Sequence, residues 1–285
     1  MTSKGPHRAT VRVVSGDEAG IALAVEALRA GGVVALPTDT VYGLAVALPT
    51  PGGVERLFEV KRRPPDKGIV LLLADAAQAS TVGAMTPMAV ALGATFWPGG
   101  LTVIVPRHTD VPLPASLTGG AATIGLRVPD HAVPRALAAG VGPLPTTSAN
   151  RSGLPEGRDA AEIATQIGAD VDLIVDGGPS AGGPASTVVD CTGDRPVILR
   201  AGAIEPEQVA AVLDAEGIAH DLPAGDLPRS LGRPATRAFA RAGLVRIDQF
   251  ADVREADLRR MHGVGPKAID GLRRTLAARG RTFAT

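Results

Sequence analysis

Short apolar runs alternate with amphipathic stretches along most of the chain. AGIALAVEALRAGG (19–32) places apolar residues at helical spacing and stops at glycine, which predicts a helix of about three turns. GVVALPTDTVYGLAV (32–46) predicts a strand, a turn and a second strand. GGVERLFEVKRR (52–63) is amphipathic and predicts a helix ended by Pro64 and Pro65. KGIVLLLA (67–74) suits a buried strand, MAVALGATFWPGG (88–100) a helix running to Trp97-Pro98, and LTVIVPR (101–107) another strand. Further on, ATIGLRVPD (122–130) predicts a strand, HAVPRALAAG (131–140) a helix, and PLPTTSANRSG (143–153) a strand entering a polar loop. DAAEIATQIG (159–168) is helical, VDLIVDGG (171–178) a strand, and ASTVVDCTGDRPVILRAG (185–202) a hairpin around Thr192-Gly193-Asp194. Short strands and hairpins mingled with helices indicate a mixed α/β domain with a twisted central sheet. The pattern does not contain the strand order.

Composition narrows this picture. Of 285 residues, 45% are apolar but only 2% aromatic, so Val, Leu, Ile and Ala must fill the core. Base stacking on aromatic platforms is therefore not expected. The single Cys191 excludes an internal disulfide and a Cys-cluster zinc site, and reads as a space-filler in VVDC. The N-terminal stretch has no long apolar run after its basic residues, and no segment reaches bilayer length, so a cytoplasmic protein without a membrane partner is expected.

The zero net charge conceals a division. Residues 1–228 carry 16 Lys+Arg against 24 Asp+Glu, whereas residues 229–285 carry 13 against 5. An acidic body that gathers its few cations in one cavity suits a small anionic substrate, and a basic tail suits a polyanion. The expected organisation is a main domain over 10–206, a linker over 207–228 and a basic module over 229–285. Within the linker, DAEGIAHDLPAGDLPR (214–229) is rich in Gly, Pro and Asp.

Five strings carry candidate chemistry. VKRRPPDK offers Lys61 and Arg63, a point charge and a planar fork suited to phosphate, or else a solvated helix end. PTDTVYGL (37–44) groups two threonines and an aspartate near a strand end, either for a small polar ligand or as an ordinary turn. GLRVPDH places Arg127 at the end of an apolar strand, where it can clamp a carboxylate or pair with a structural aspartate. TTSAN crowds Thr146, Thr147, Ser148 and Asn150 at a strand terminus, as ligands or as a helix cap. ILRAGAI sets Arg200 beside Gly202, where a cation and free backbone N–H groups can hold phosphate. The chain has neither a Walker loop nor a G-x-G-x-x-G fingerprint, so a nucleotide must be held otherwise.

In order, PTDTVYGL, K-x-R-P (Lys61 to Pro64), FWPGGLT, GLRVPDH, TTSAN-x-SG, STVVD and ILRAGAI resemble the YrdC/Sua5/TsaC family of L-threonylcarbamoyladenylate synthases over residues 15–206. The resemblance implies a YrdC-like α/β fold around a large concave cavity. It implies formation of threonylcarbamoyl-AMP and pyrophosphate from L-threonine, bicarbonate and ATP, with Mg2+ accompanying ATP and no metal-ligating residues of the protein's own. The product would pass to the transfer machinery of the tRNA N6-threonylcarbamoyladenosine modification. By position, Lys61, Arg63, Ser148 and Asn150 match the set around the phosphates and the reacting carbamate. Thr146 and Arg200 match ATP-contacting positions, and Thr38, Arg127, Ser148 and Ser186 match the threonine side. Three prolines of the family pattern are missing, at Lys67-Gly68-Ile69, Gly99-Gly100-Leu101 and Arg200-Ala201-Gly202, which puts loop rigidity in doubt more than chemistry.

The tail string LRRMHGVGPKAIDGLRRTL (258–276) resembles a helix-hairpin-helix, in which Gly263 and Gly265 open a helix whose N–H groups meet a phosphate. Lys267 and the arginines at 259, 260, 273 and 274 would strengthen that contact, with tRNA, other RNA and DNA left open as partners. Protein docking is the alternative for this module. For the whole chain the alternative is a non-catalytic RNA-binding protein using the cavity as a groove, which an acidic body disfavours.

Overall fold

The computed structural model describes residues 11–62, 68–180, 182–223 and 225–284. The chain opens with β1 (Arg12–Ser15), α1 (Glu18–Arg29) and the antiparallel pair β2 (Val34–Leu36) and β3 (Gly43–Ala45). Asp17 caps α1 by accepting from the Gly20 amide at 2.9 Å. Next come α2 (Gly53–Lys61), β4 (Val70–Leu72), α3 (Ala76–Val82), α4 (Pro87–Phe96) and β5 (Leu101–Pro106). Thr86 caps α4 and Pro87 fills its first position, an arrangement that suits proline's missing N–H. The sequence continues through α5 (Ala115–Thr118), β6 (Thr123–Arg127), α6 (Ala132–Val141), β7 (Leu144–Ser148) and α7 (Ala160–Ile167). β8 (Leu173–Asp176), β9 (Thr187–Asp190) and β10 (Val197–Arg200) complete the strands.

Among the described residues these strands form one mixed sheet in the order β1-β8-β2-β3-β7-β4-β6-β5-β9-β10. The alternation of side chains sends neighbouring residues to opposite faces. Ala35, Leu44, Leu71 and Ile174 join one apolar cluster, while Val34, Leu36, Ala45, Leu72 and Val175 join the other. Residues remote in sequence thereby meet at strand ends. Ser148 lies opposite Gly43 in the β3–β7 ladder, and Arg127 lies opposite Leu72 in the β4–β6 ladder. Gly43 has to lack a side chain, since an added methyl would sit 2.8 Å from Cγ2 of Thr146.

The predicted strands and helices of the main domain are all present. The pattern did not reveal β1, α3 or α5, which are short or shared with loop-like sequence. The stretch read as a linker over 207–228 differs more. Its first half is α8 (Pro206–Glu216), whose Val209, Ala210, Val212 and Leu213 are fully buried. The Gln208 side chain accepts from the Glu205 amide at 2.9 Å and donates to the Ala240 carbonyl at 2.6 Å. The Gly/Pro/Asp-rich composition that suggested a linker begins only at Asp214, after the helix has made its apolar contacts.

The tail holds α9 (Arg233–Arg241), α10 (Glu255–Arg259) and α11 (Pro266–Ala278), with 3-10 turns at Arg229–Leu231 and Ile247–Asp252. It has its own apolar cluster around Phe239, Ile247, Phe250, Leu258, Ile269 and Leu272. Phe239 and Phe250 meet edge to face with ring centroids 4.9 Å apart. Ala240 and Val245 instead join the main core, so α9 serves both units. No helix among the described residues is long and apolar enough to cross a membrane.

Two outcomes follow from this packing. Phe250→Ala should cost about 3–5 kcal/mol and expose tryptic sites between residues 233 and 281 before those of the sheet domain, read by limited proteolysis with mass mapping. Cys191 is fully buried, and burial pushes its thiol up to about 12. At pH 8 the native protein should therefore resist iodoacetamide at Cys191 and accept it in denaturant, as measured by intact mass.

Candidate functional site

Lys61 is the last residue of α2 and is only 4% exposed. Its helix stops because Arg62 takes a left-handed conformation (φ 51°, ψ 46°), unusual for a residue with a side chain. The Lys61 ammonium points at the end of β7. It donates to the Ser148 carbonyl at 2.7 Å, Ser148 Oγ at 3.2 Å, the Asn150 carbonyl at 3.1 Å and Asn150 Oδ1 at 2.6 Å. Burying an ammonium costs several kcal/mol unless oxygens replace its water, and these oxygens do so. Ser148 Oγ donates to Asn150 Oδ1 at 2.8 Å, and Asn150 Nδ2 donates to the Leu154 carbonyl at 2.6 Å. These partners fix the amide orientation of Asn150.

Arg127, at the end of β6, is held on three sides. Nε donates to the Gly99 carbonyl at 3.0 Å, one terminal nitrogen to Thr40 Oγ1 at 3.1 Å and the other to Asp39 Oδ1 at 2.7 Å. A guanidinium has five N–H donors, so two remain for a ligand. Burial pushes the Arg127 pKa down; Asp39 opposes that effect, and the nearby positive charge of Arg200 adds to it. Two cations that repel each other in a confined space create a place for an anion.

Arg200 ends β10 beside an irregular register and is exposed to the cavity. Its Nε donates to the Ser186 carbonyl at 3.0 Å, and a terminal nitrogen reaches Ser186 Oγ at 2.9 Å. Ser186 Oγ also lies 2.9 Å from Thr102 Oγ1. Thr38, Arg127, Thr146, Ser148, Ser186 and Arg200 all line a single cavity of about 230 Å³. That space is smaller than the roughly 300–1,000 Å³ usual for drug-sized ligands.

The structure thus brings together most of the residues singled out from sequence. Lys61 binds Ser148 and Asn150, and Arg127 and Arg200 share the cavity with Thr38, Thr146, Ser148 and Ser186. Thr38 and Thr146 are less available than expected. The Thr38 hydroxyl donates to the Val41 carbonyl at 2.6 Å and accepts from the Thr40 and Val41 amides, while Thr146 Oγ1 donates to the Leu144 carbonyl at 2.9 Å. Arg63, with Pro64, Pro65 and Lys67, lies outside the described residues, between Lys61 and the cavity-lining Gly68.

Arg127 pairs with Asp39, as the structural reading expected, and it also lines the cavity. Sequence reasoning grouped Asp39 and Thr40 within PTDTVYGL but did not name them as partners of Arg127, and it did not single out Thr102. Their presence in PTDT and GGLT, beside residues that were chosen, was the available signal. His131 is not a free base: its Nδ1 accepts the Val133 amide as a helix cap, and burial pushes its pKa down.

In the tail, Gly263 has φ +88° and packs against Pro234, and Gly265 caps α11. Lys267 and Arg274 are exposed and have no acidic partner within 4 Å among the described residues. Arg259, Arg260 and Arg273, by contrast, pair with Glu255, Asp257 and Asp270. The acidic residues of α10 and α11 therefore take up part of the charge expected to face a polyanion.

Comparisons with known proteins fit this arrangement. The chain is 39% identical over 202 residues to a threonylcarbamoyl-AMP synthase of Bacillus subtilis, covering 70% of this chain and 58% of that protein. A putative threonylcarbamoyl-AMP synthase of Mycobacterium tuberculosis is 37% identical over 195 residues, covering 68% of this chain and 89% of the relative. The crystal structure of Pyrococcus abyssi Sua5 complexed with L-threonine superposes with a TM-score of 0.68 at 33% identity, covering 75% of this chain and 63% of that one. This chain therefore spans little more than half the length of the Bacillus relative. A family model described as Sua5/YciO/YrdC, telomere recombination, matches residues 26–202, and the chain belongs to that family.

Proposed function

We propose that the chain is an L-threonylcarbamoyladenylate synthase, forming threonylcarbamoyl-AMP and pyrophosphate from L-threonine, bicarbonate and ATP. The observation that carries this reading is the electrostatics of one cavity. Arg127 and Arg200 both line it, and Ser148, held by Lys61 and Asn150, lines it from the end of β7. An amino-acid carboxylate on the free N–H groups of Arg127 would relieve the repulsion. Arg200 then faces toward a phosphate chain. The names of the Bacillus and Mycobacterium relatives, and the threonine in the Pyrococcus complex, support the same substrates.

In this mechanism the threonine amine adds to bicarbonate and water leaves, giving a carbamate. A carbamate oxygen then attacks the α-phosphorus of ATP, and pyrophosphate departs. Both steps bring negative groups together, so catalysis is mainly charge neutralisation and alignment. Ser148 positions rather than attacks: its proton is committed to Asn150, and neither a histidine nor a thiolate stands ready to take it. Arg63 completes the cationic set in this reading, on the strength of the K-x-R-P string.

Mg2+ would arrive on the triphosphate and neutralise charge there. The product would serve tRNA N6-threonylcarbamoyladenosine formation by a separate transfer machinery. For the tail we propose a nucleic-acid contact at the α11 N-terminus, with Gly263 and Gly265 in the turn. An added methyl at Gly265 would meet nothing within 4 Å, so packing alone does not demand glycine there.

Lys61→Ala should lower threonine- and bicarbonate-dependent pyrophosphate release by about a hundredfold or more, with mass analysis of the adenylate as the readout. Unchanged turnover would remove Lys61 from the mechanism. Arg127→Ala should raise the threonine KM by roughly ten- to a hundredfold, the value of charge-assisted hydrogen bonds. Lys267→Glu should weaken tRNA binding and flatten its salt dependence, and binding indifferent to salt in the unsubstituted protein would count against a phosphate contact.

A further inference from the structure

The tail touches the main domain where Arg127 is held in place. Arg241, the last residue of α9, donates to the Thr95 carbonyl at 3.0 Å and to the Pro98 carbonyl at 3.2 Å. Thr95 lies in the final turn of α4, where helix carbonyls lack an intrahelical partner. A guanidinium suits that position, because it satisfies the carbonyl and complements the negative end of the helix.

The Pro98 carbonyl and the Gly99 N–H belong to one planar peptide unit. Arg241 holds the oxygen of that unit, and the Val128 carbonyl holds its N–H at 2.9 Å. The next carbonyl along, that of Gly99, accepts Arg127 Nε at 3.0 Å. Gly99 can take this path only as glycine, since an added methyl would come within 2.6 Å of the Phe96 carbonyl. With the Pro98–Gly99 plane held on both edges and the φ of Gly99 set by its close approach to Phe96, the direction of the Gly99 carbonyl follows from that plane.

We propose that Arg241 is a positioning residue for threonine binding: it locks the Pro98–Gly99 peptide, which orients the guanidinium plane of Arg127 toward the substrate carboxylate. The tail is thereby part of the substrate site without lining it. This inference rests on the assignment of Arg127 to the carboxylate.

The contrast within α9 sharpens the test. Arg233 and Arg237 occupy the same helix at four-residue spacing and both pair with Glu216 of α8. They dock the helix, and among the described residues neither hydrogen-bonds to the 97–100 turn. The experiment measures L-threonine affinity by calorimetry and steady-state kinetics, on the full chain, for Arg241→Ala, Arg241→Lys, Arg237→Ala and Arg127→Ala.

Arg241→Ala should weaken threonine binding and raise its KM about five- to tenfold, leaving kcat and the ATP KM within about twofold. Arg241→Lys should recover part of the loss, and Arg237→Ala should stay within about twofold of the parent throughout. Threonine affinity unchanged in Arg241→Ala, or an equal loss in Arg237→Ala, overturns the inference. So does a fall in kcat that matches the rise in KM, because that pattern reports general loosening. If Arg127→Ala also leaves threonine affinity intact, or the parent binds no threonine, the carboxylate assignment falls and takes the inference with it. A large Arg127 effect beside a silent Arg241 overturns only the inference.

Discussion

The site depends on holding one lysine side chain almost entirely out of water. Lys61 manages this because β7 ends where α2 ends, so that two main-chain carbonyls and the side chains of Ser148 and Asn150 converge on one nitrogen. The cage works in both directions. It makes the lysine tolerable in the interior, and the lysine fixes the strand terminus that presents Ser148 to the cavity. An ammonium desolvated and held in this way is aligned by fixed oxygens rather than by mobile water.

Arg127 solves a related problem with different chemistry. A lysine there would offer three donors on a flexible stem, whereas the guanidinium divides its fork between fixed protein acceptors and an incoming anion. Asp39, Thr40 and the Gly99 carbonyl occupy three N–H positions and set the guanidinium plane. Asp39 keeps the pair from being a bare buried charge, but Arg200 still bears on it unfavourably. Two guanidinium groups thus line one cavity, and only one of them has a carboxylate partner among the described residues.

Much of this was legible along the chain, for identifiable reasons. Strand ends announce themselves by apolar runs breaking into Thr, Ser, Asn and Arg, so TTSAN and GLRVPDH pointed to Ser148, Asn150 and Arg127 before any contact was known. The ten-strand order was not legible, because β4 pairs with both β6 and β7 through ladders that no local pattern encodes. Partner choice was hidden for the same reason. Asp39 stands 88 residues from Arg127, and only the fold decides that a threonine-rich turn will meet that arginine. The helical start of the supposed linker was missed because VAAVL is short and bland. Its burial comes from α4 and α9 rather than from its own periodicity.

Charge counting was sound in sum and incomplete in direction. The surplus of cations in the tail suggested a surface turned outward to a polyanion, yet α9 turns Arg233, Arg237 and Arg241 toward the main domain. Arg246 likewise reaches Glu207 of α8. An acidic body and a basic tail are thus partly each other's partners. Exposed ion pairs of this kind contribute little individually, about 0–1 kcal/mol, so they orient the tail more than they anchor it. The shared burial of Ala240 and Val245 supplies the anchoring. Orientation is what the 97–100 turn requires, because a carbonyl can select the plane of a guanidinium only if something on its far side keeps it from turning.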